Sequence, residues 1–262
     1  RDGDSIVNTL FRTKDYPVLE DYLDRIESAI EELKGSCGSN QNLLGIGIGA
    51  PNASSKRGTI EHAANLAWKG TVPLVELLSK RFDLPIKLMN DASAAALGEM
   101  QFGNAKGMDD FIVITLGTGL GAGIVANGRL IEGFDGFAGE LGHVDLSIGG
   151  GRLTGLGVQG GLEAYVSATG LKRTIMYMLS KYPIESRFRG IAYNDLHGEE
   201  ITKAANEGDE IAIKAFDYTG RYLGFALANF TAITRPEAFF LLGGLTGSDK
   251  WIFESTKKYM DE

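Results

Sequence analysis

The stretch DFIVITLGTGLGAGIVANGRLIEG, residues 110–133, constrains the fold more than any other part of this chain. Asp110 to Gly117 reads as a strand: a short apolar run closed by glycine. After the glycines, Ala122 to Gly133 is extended again, with Asn127-Gly128 supplying the two residues of a tight hairpin turn. Other short apolar runs punctuate the chain: Leu43–Pro51, Pro85–Met89 and Glu237–Gly244. Between them lie helical patterns. From Tyr16 to Leu33, apolar residues recur at Leu19, Leu23, Ile26, Ile30 and Leu33, one face of a helix. Thr71–Phe82 and Asn90–Met100 also read as helices, and Gly161–Tyr182 as a broken helical stretch. Residues 208–234 form a long amphipathic helix stopped by Arg235-Pro236, and Lys250 begins another. Strands alternating with helices in both halves indicate α/β lobes, with a boundary in the polar segment Gly103–Asp109.

Composition excludes several function classes. A chain of 262 residues accommodates two moderate lobes. Its formal net charge of −8, without a Lys/Arg cluster, argues against a nucleic-acid partner, because a polyanion needs a basic face. No apolar run approaches the length that spans a bilayer. Cys37 is the lone cysteine, which excludes an internal disulfide framework and fits a reducing, cytoplasmic setting. The chain opens on Arg1, so an incomplete N-terminus is expected.

Three segments could carry chemistry. In Leu116–Gly123, glycines after a strand allow backbone N–H groups to approach a phosphate, and Thr118 adds a hydroxyl. The alternative is a plain glycine-rich hairpin; a dinucleotide-binding fold would need a helix at this point. In NDASAAALGE, Asp91 stands where a strand meets a helix. It is either an N-cap or a carboxylate aimed at the crevice where open α/β sheets bind ligands. In GFAGELGH, Glu140 and His143, with Glu163 downstream, could hydrogen-bond several hydroxyls at once, or they form a solvated surface turn. Beyond them, Gly149–Tyr165 (GGGRLTGLGVQGGLEAY) concentrates glycine without any cysteine. His62 and His197 read as structural.

In order along the chain, GIGIGAPN, NLAWKG, NDASAAALGE, ITLGTGLGAGIV, GELGH, GLEAYVSATG and LLGGL resemble the segments of the ROK family (repressors, unclassified reading frames and kinases). AGELGH is closer to its glucokinase-like members than to its fructokinases, which carry a Pro before that Glu. The resemblance implies an α/β, two-lobed, actin-like (ribonuclease H-like) sugar kinase fold with its active site in the interlobe cleft. A smaller lobe over 1–107 would carry the catalytic Asp segment, and a larger lobe over 108–262 the second phosphate loop, sugar-binding acids and adenosine segment. Asp91 resembles the general base that deprotonates the sugar hydroxyl. Asn65, Asn90, Asp91, Glu140, His143 and Glu163 match the sugar-binding positions. Gly117, Thr118 and Gly119 match the second phosphate loop, and Gly243, Gly244 and Leu245 the adenosine segment. The implied cofactors are ATP and Mg²⁺. The implied partners are a small-molecule sugar and a second copy of the chain.

The sequence departs from the family pattern in two respects. Nothing matches the Asp-x-Gly-Gly-Thr phosphate loop of the family's first strand, and relatives continue beyond KKYMDE; both ends are expected to belong to a longer molecule. Relatives also join the His143 position to three cysteines around a zinc ion. Those positions here are Thr154, Leu156 and Gly161, so no structural zinc is expected. The loop 149–160 is then left to its helix and hairpin neighbours and is expected to be among the more mobile parts. The leading expectation is ATP-dependent phosphorylation of a hexose, above all glucose. The alternatives are N-acetylmannosamine or another aldohexose, a non-catalytic ROK regulator, and a pseudokinase.

Overall fold

A computed structural model describes residues 3–37, 42–63, 66–147 and 149–262. The chain divides into two compact units, Arg1–Gly107 with Leu130–Ala138, and Met108–Arg129 with Gly139–Glu262.

The first unit contains α1 (Leu19–Ser36), β1 (Ile46–Ala50), β2 (Ala53–Ser54), β3 (Thr59–Glu61), β4 (Thr71–Val72), α2 (Leu74–Ser79), β5 (Ile86–Asn90) and α3 (Asp91–Phe102). β1 and β5 pair in parallel, with Ile46 opposite Ile86 and Ala50 opposite Asn90. The short strands β2, β3 and β4 form an antiparallel sheet. The helix expected from Thr71 starts only at Leu74, because Pro73 keeps the residue before it extended and Val72 pairs with Ile60 instead. Leu23, Ile60, Leu74, Leu78 and Leu88 are buried in this unit's core. The Arg81 guanidinium, beyond α2, reaches Glu20, Asp24 and Glu27 on α1. Those carboxylates push its pKa further above an already high value.

The extended run expected to continue to Gly133 ends at Leu130. The following residues pack into the first unit, where Ser54 Oγ donates to the Asp135 carbonyl at 2.6 Å and Lys56 pairs with Glu132 at 3.1 Å. Side chains far away in sequence thus draw off a segment whose local pattern is extended.

The second unit is built from β6 (Phe111–Leu116), β7 (Leu120–Ala126), β8 (Arg129–Leu130), α4 (Ala168–Lys181), α5 (Gly198–Asn206), α6 (Glu210–Thr234), β9 (Ala238–Leu242) and α7 (Asp249–Asp261). Its sheet runs β8-β7-β6-β9, with β6 antiparallel to β7 and parallel to β9. Asn127 and Gly128 turn the hairpin with φ of 51° and 68°, as an Asn-Gly pair permits. Asp209 caps α6 by accepting from Ile211 N and Ala212 N. Arg235, left-handed ahead of Pro236, ends it. Ile112, Ile114 and Leu116 of β6 are buried with Leu171, Ile175, Phe216 and Leu223. Among the described residues, no helix is long and apolar enough to cross a membrane.

α6 and α7 approach so closely that glycine is required between them. A Cβ on Gly224 would lie 2.6 Å from the Thr256 carbonyl oxygen and 2.8 Å from Met260 N. Those are backbone atoms and cannot swing away. Gly224→Ala is expected to destabilise the chain by about 1–3 kcal/mol, as overpacking does, measured by denaturant unfolding.

Candidate active site

β5 runs into α3 without a loop, which places two polar side chains at the junction. Asn90 is the cap: its Oδ1 accepts from Ala92 N at 2.9 Å and Ser93 N at 3.3 Å. Asp91 is the first helical residue and is exposed, with Oδ1 accepting from Ala92 N at 2.9 Å. Asn90 therefore supplies the cap, and the exposed Asp91 carboxylate adds a second acceptor for Ala92 N. Asn65, also expected near a sugar, lies outside the described residues.

The remaining expected sugar contacts sit in the second unit. Glu140 precedes the 3-10 turn Leu141–His143 and His143 ends it, with His143 Nε2 3.8 Å from Glu140 Oε2. Glu163 lies on a second such turn, Leu162–Ala164. The turns pack together: Leu162 N donates to the Val144 carbonyl at 3.0 Å, and Asp145 bridges Gly161. Glu163 Oε2 accepts from Leu120 N at 3.0 Å. Any side chain on Gly119 would strike that carboxylate, so the glycine makes the approach possible.

Gly117, Thr118 and Gly119 form the turn between β6 and β7. Gly117 N donates to Gly119 O at 3.0 Å, and the Gly117 carbonyl accepts from Ala168 N at 2.9 Å. Thr169 Oγ1 donates to the Thr118 carbonyl at 3.0 Å. The turn is thereby docked on the start of α4. An open cavity of about 660 Å³ lies beside it, within the second unit. Gly117, Thr118, Lys203, Asn206, Gly244 and Leu245 all line it. Its volume is in the range of small-molecule sites. Exposed glycine backbone, one lysine and the buried Leu245 side chain suit a phosphate-bearing ligand with an apolar part. Gly243 precedes this wall and its carbonyl accepts from Thr246 Oγ1 at 2.6 Å.

Lys203 and Asn206 had no signal in any motif. They belong to α5, whose Ile201, Ala204 and Ala205 are buried at helical spacing. That short periodicity could have revealed the helix, but not that its other face meets the glycine turns.

The profile of the ROK family matches residues 9–262, and the chain belongs to that family. It is 36% identical over 236 residues to a glucokinase of Halalkalibacterium halodurans, covering 88% of this chain and 70% of that protein. A xylose repressor of Caldicellulosiruptor bescii is 35% identical over 201 residues, covering 75% of this chain and 49% of the repressor. Among solved structures, a ROK family glucokinase from Streptomyces griseus in complex with glucose and AMPPNP is 32% identical, with a TM-score of 0.76 over 93% of this chain and 78% of that one. The fold is the actin-like α/β fold of the family's sugar kinases.

The capping assignment is checked by two substitutions. Asn90→Ala is expected to cost about 1 kcal/mol of stability, whereas Asn90→Asp keeps the cap and stays near wild type in denaturant unfolding.

Proposed function

We propose that this chain transfers the γ-phosphoryl group of ATP to the 6-hydroxyl of a hexose, with glucose the preferred substrate. One observation carries the reading: Asp91 presents an exposed carboxylate at the start of α3 while Asn90 supplies the cap. A carboxylate in that position accepts the proton of the sugar hydroxyl as its oxygen bonds to the γ-phosphorus and the bond to the ADP oxygen breaks. Phosphoryl transfer asks little more of a protein than positioning and charge stabilisation.

The other roles are those that the family resemblance gives to the matching positions. Asn65, Asn90, Glu140, His143 and Glu163 hold sugar hydroxyls. The Gly117–Thr118–Gly119 turn holds phosphate oxygens, and Gly243, Gly244 and Leu245 hold the adenosine. The cavity beside the turn has the volume of a small-molecule site, and its wall carries Lys203 with Glu199 one helical turn away. Mg²⁺ bound to the ATP phosphates would neutralise charge there. Glucose as substrate is supported by the glucokinase relatives. N-acetylmannosamine or another aldohexose is the alternative substrate. The xylose repressor similarity supports a second reading, a sugar-binding regulator without turnover.

A coupled assay of ATP consumption across a hexose panel separates these readings. Wild type is expected to turn over with glucose, and Asp91→Asn to lose about 10²-fold or more in kcat with hexose affinity retained. No sugar-stimulated turnover in wild type would favour the regulator. Collapse of hexose affinity in Asp91→Asn would make Asp91 a binding residue rather than the base. Lys203→Met is expected to weaken binding of a non-hydrolysable ATP analogue by roughly tenfold, seen by calorimetry, with hexose binding unchanged.

A further inference from the structure

The zinc ion implied by the family resemblance does not fit the residues present. Of the positions that would supply thiolates, Thr154 is buried and its hydroxyl accepts from Val158 N at 3.1 Å. Leu156 is an exposed hydrocarbon, and Gly161 has no side chain. His143 Nδ1, buried and without a partner among the described residues, is a single donor. A structural zinc site needs four.

Something else holds the loop. Its strands close on themselves through Thr154 N to the Val158 carbonyl and Gly160 N to the Arg152 carbonyl, both at 2.9 Å. Arg152 then ties this hairpin to α4. Its guanidinium donates to Thr174 Oγ1 at 2.8 Å and to the Gly170 carbonyl at 3.3 Å. Its backbone N–H donates to the Tyr165 hydroxyl at 3.0 Å. The same guanidinium lies 4.9 Å from the Tyr165 ring centre, 5.6 Å from Tyr218 and 5.9 Å from Tyr177. Tyr165 in turn stacks on Tyr222 of α6, with ring centres 3.9 Å apart. From the helix side, Arg173 Nη1 donates to the Leu153 carbonyl at 2.6 Å. Among the described residues, Arg152 makes no salt bridge. Tyrosine faces and neutral oxygens surround it instead, and burial lowers its pKa from the ordinary value.

The clamped loop reaches the candidate sugar site directly. Gly155 N donates to Glu163 Oε1 at 3.4 Å, and the backbone of His143 lies beside Gly161. We propose that Arg152, seconded by Arg173, is the positioning residue of the glycine loop. It is a metal-free clamp on α4 that sets Glu163 and His143 for the sugar. The second half of this statement rests on the proposed sugar-binding roles of those residues; the clamp itself does not.

The test combines metal content, amide hydrogen exchange and calorimetry on wild type, Arg152→Met, Arg152→Lys and Arg173→Met. Wild type is expected to carry no stoichiometric zinc, and a chelator to leave exchange over residues 149–163 unchanged. Arg152→Met is expected to accelerate exchange over those residues. It should also raise the hexose Kd about tenfold, with the Kd of an ATP analogue within about twofold. Arg152→Lys should fall between, since an ammonium keeps the charge but not the planar fork. If Arg152→Met does not fold, Arg173→Met carries the same readouts with smaller changes. About one zinc per chain whose removal loosens the loop overturns the proposal. So does wild-type exchange and hexose affinity in both arginine variants. Absence of hexose binding in wild type overturns the functional reading instead, and exchange and metal content still decide the clamp.

Discussion

The carboxylate of Glu163 is where three chain segments meet. Leu120 N at the start of β7 donates to one oxygen, and Gly155 N of the glycine loop donates to the other. The residue's own carbonyl accepts from Ser167 Oγ at 2.8 Å, and Ser167 Oγ accepts from Gly170 N to cap α4. Hydrogen bonds to a charged group contribute about 1.5–3 kcal/mol each when well formed, more than neutral ones. The 117–119 turn is bound to the same helix start through the Gly117 carbonyl and Ala168 N. Glycine turn, acidic side chain and helix terminus therefore form one hydrogen-bonded body, and displacing any of them disturbs the others.

A division of labour runs through both units. Asn90 satisfies the end of α3, beside the exposed carboxylate of Asp91 that is proposed as the base. Ser167 and the Gly117 carbonyl together satisfy the start of α4, and the 117–119 turn keeps exposed residues beside the cavity. Gly119 contributes by lacking a side chain, since that is what admits Glu163 to Leu120 N.

Much of this was legible in the sequence because it is local. The β6–β7 hairpin is written in a short apolar run and an Asn-Gly pair, the end of α6 in Arg235-Pro236, and the β5–α3 junction in Asn-Asp before a run of alanines. What escaped depends on distant partners. The residues after Leu130 leave the hairpin because Ser54 and Lys56, more than 70 residues earlier in the chain, bind them. α5 lacks a motif, and Lys203 becomes interesting only when the fold brings it beside Gly117 and Gly244. The tyrosines around Arg152 come from three stretches of sequence and share no pattern. The glycine loop was left to its helix and hairpin neighbours; that the contact to α4 runs through Arg152 shows only once α4 and α6 are packed behind it.

The central claim is that Glu163 is both the structural junction and a sugar ligand. Calorimetric titration of glucose into wild type and Glu163→Gln tests it most directly. The amide oxygen of Gln can still accept from Leu120 N and only the longer bond from Gly155 N is given up, so the fold should survive while the charge is lost. The account predicts that glucose affinity falls about tenfold or more, and that an ATP analogue binds both proteins within about threefold. Equal glucose affinity in the two proteins, or a loss confined to the nucleotide, would contradict it.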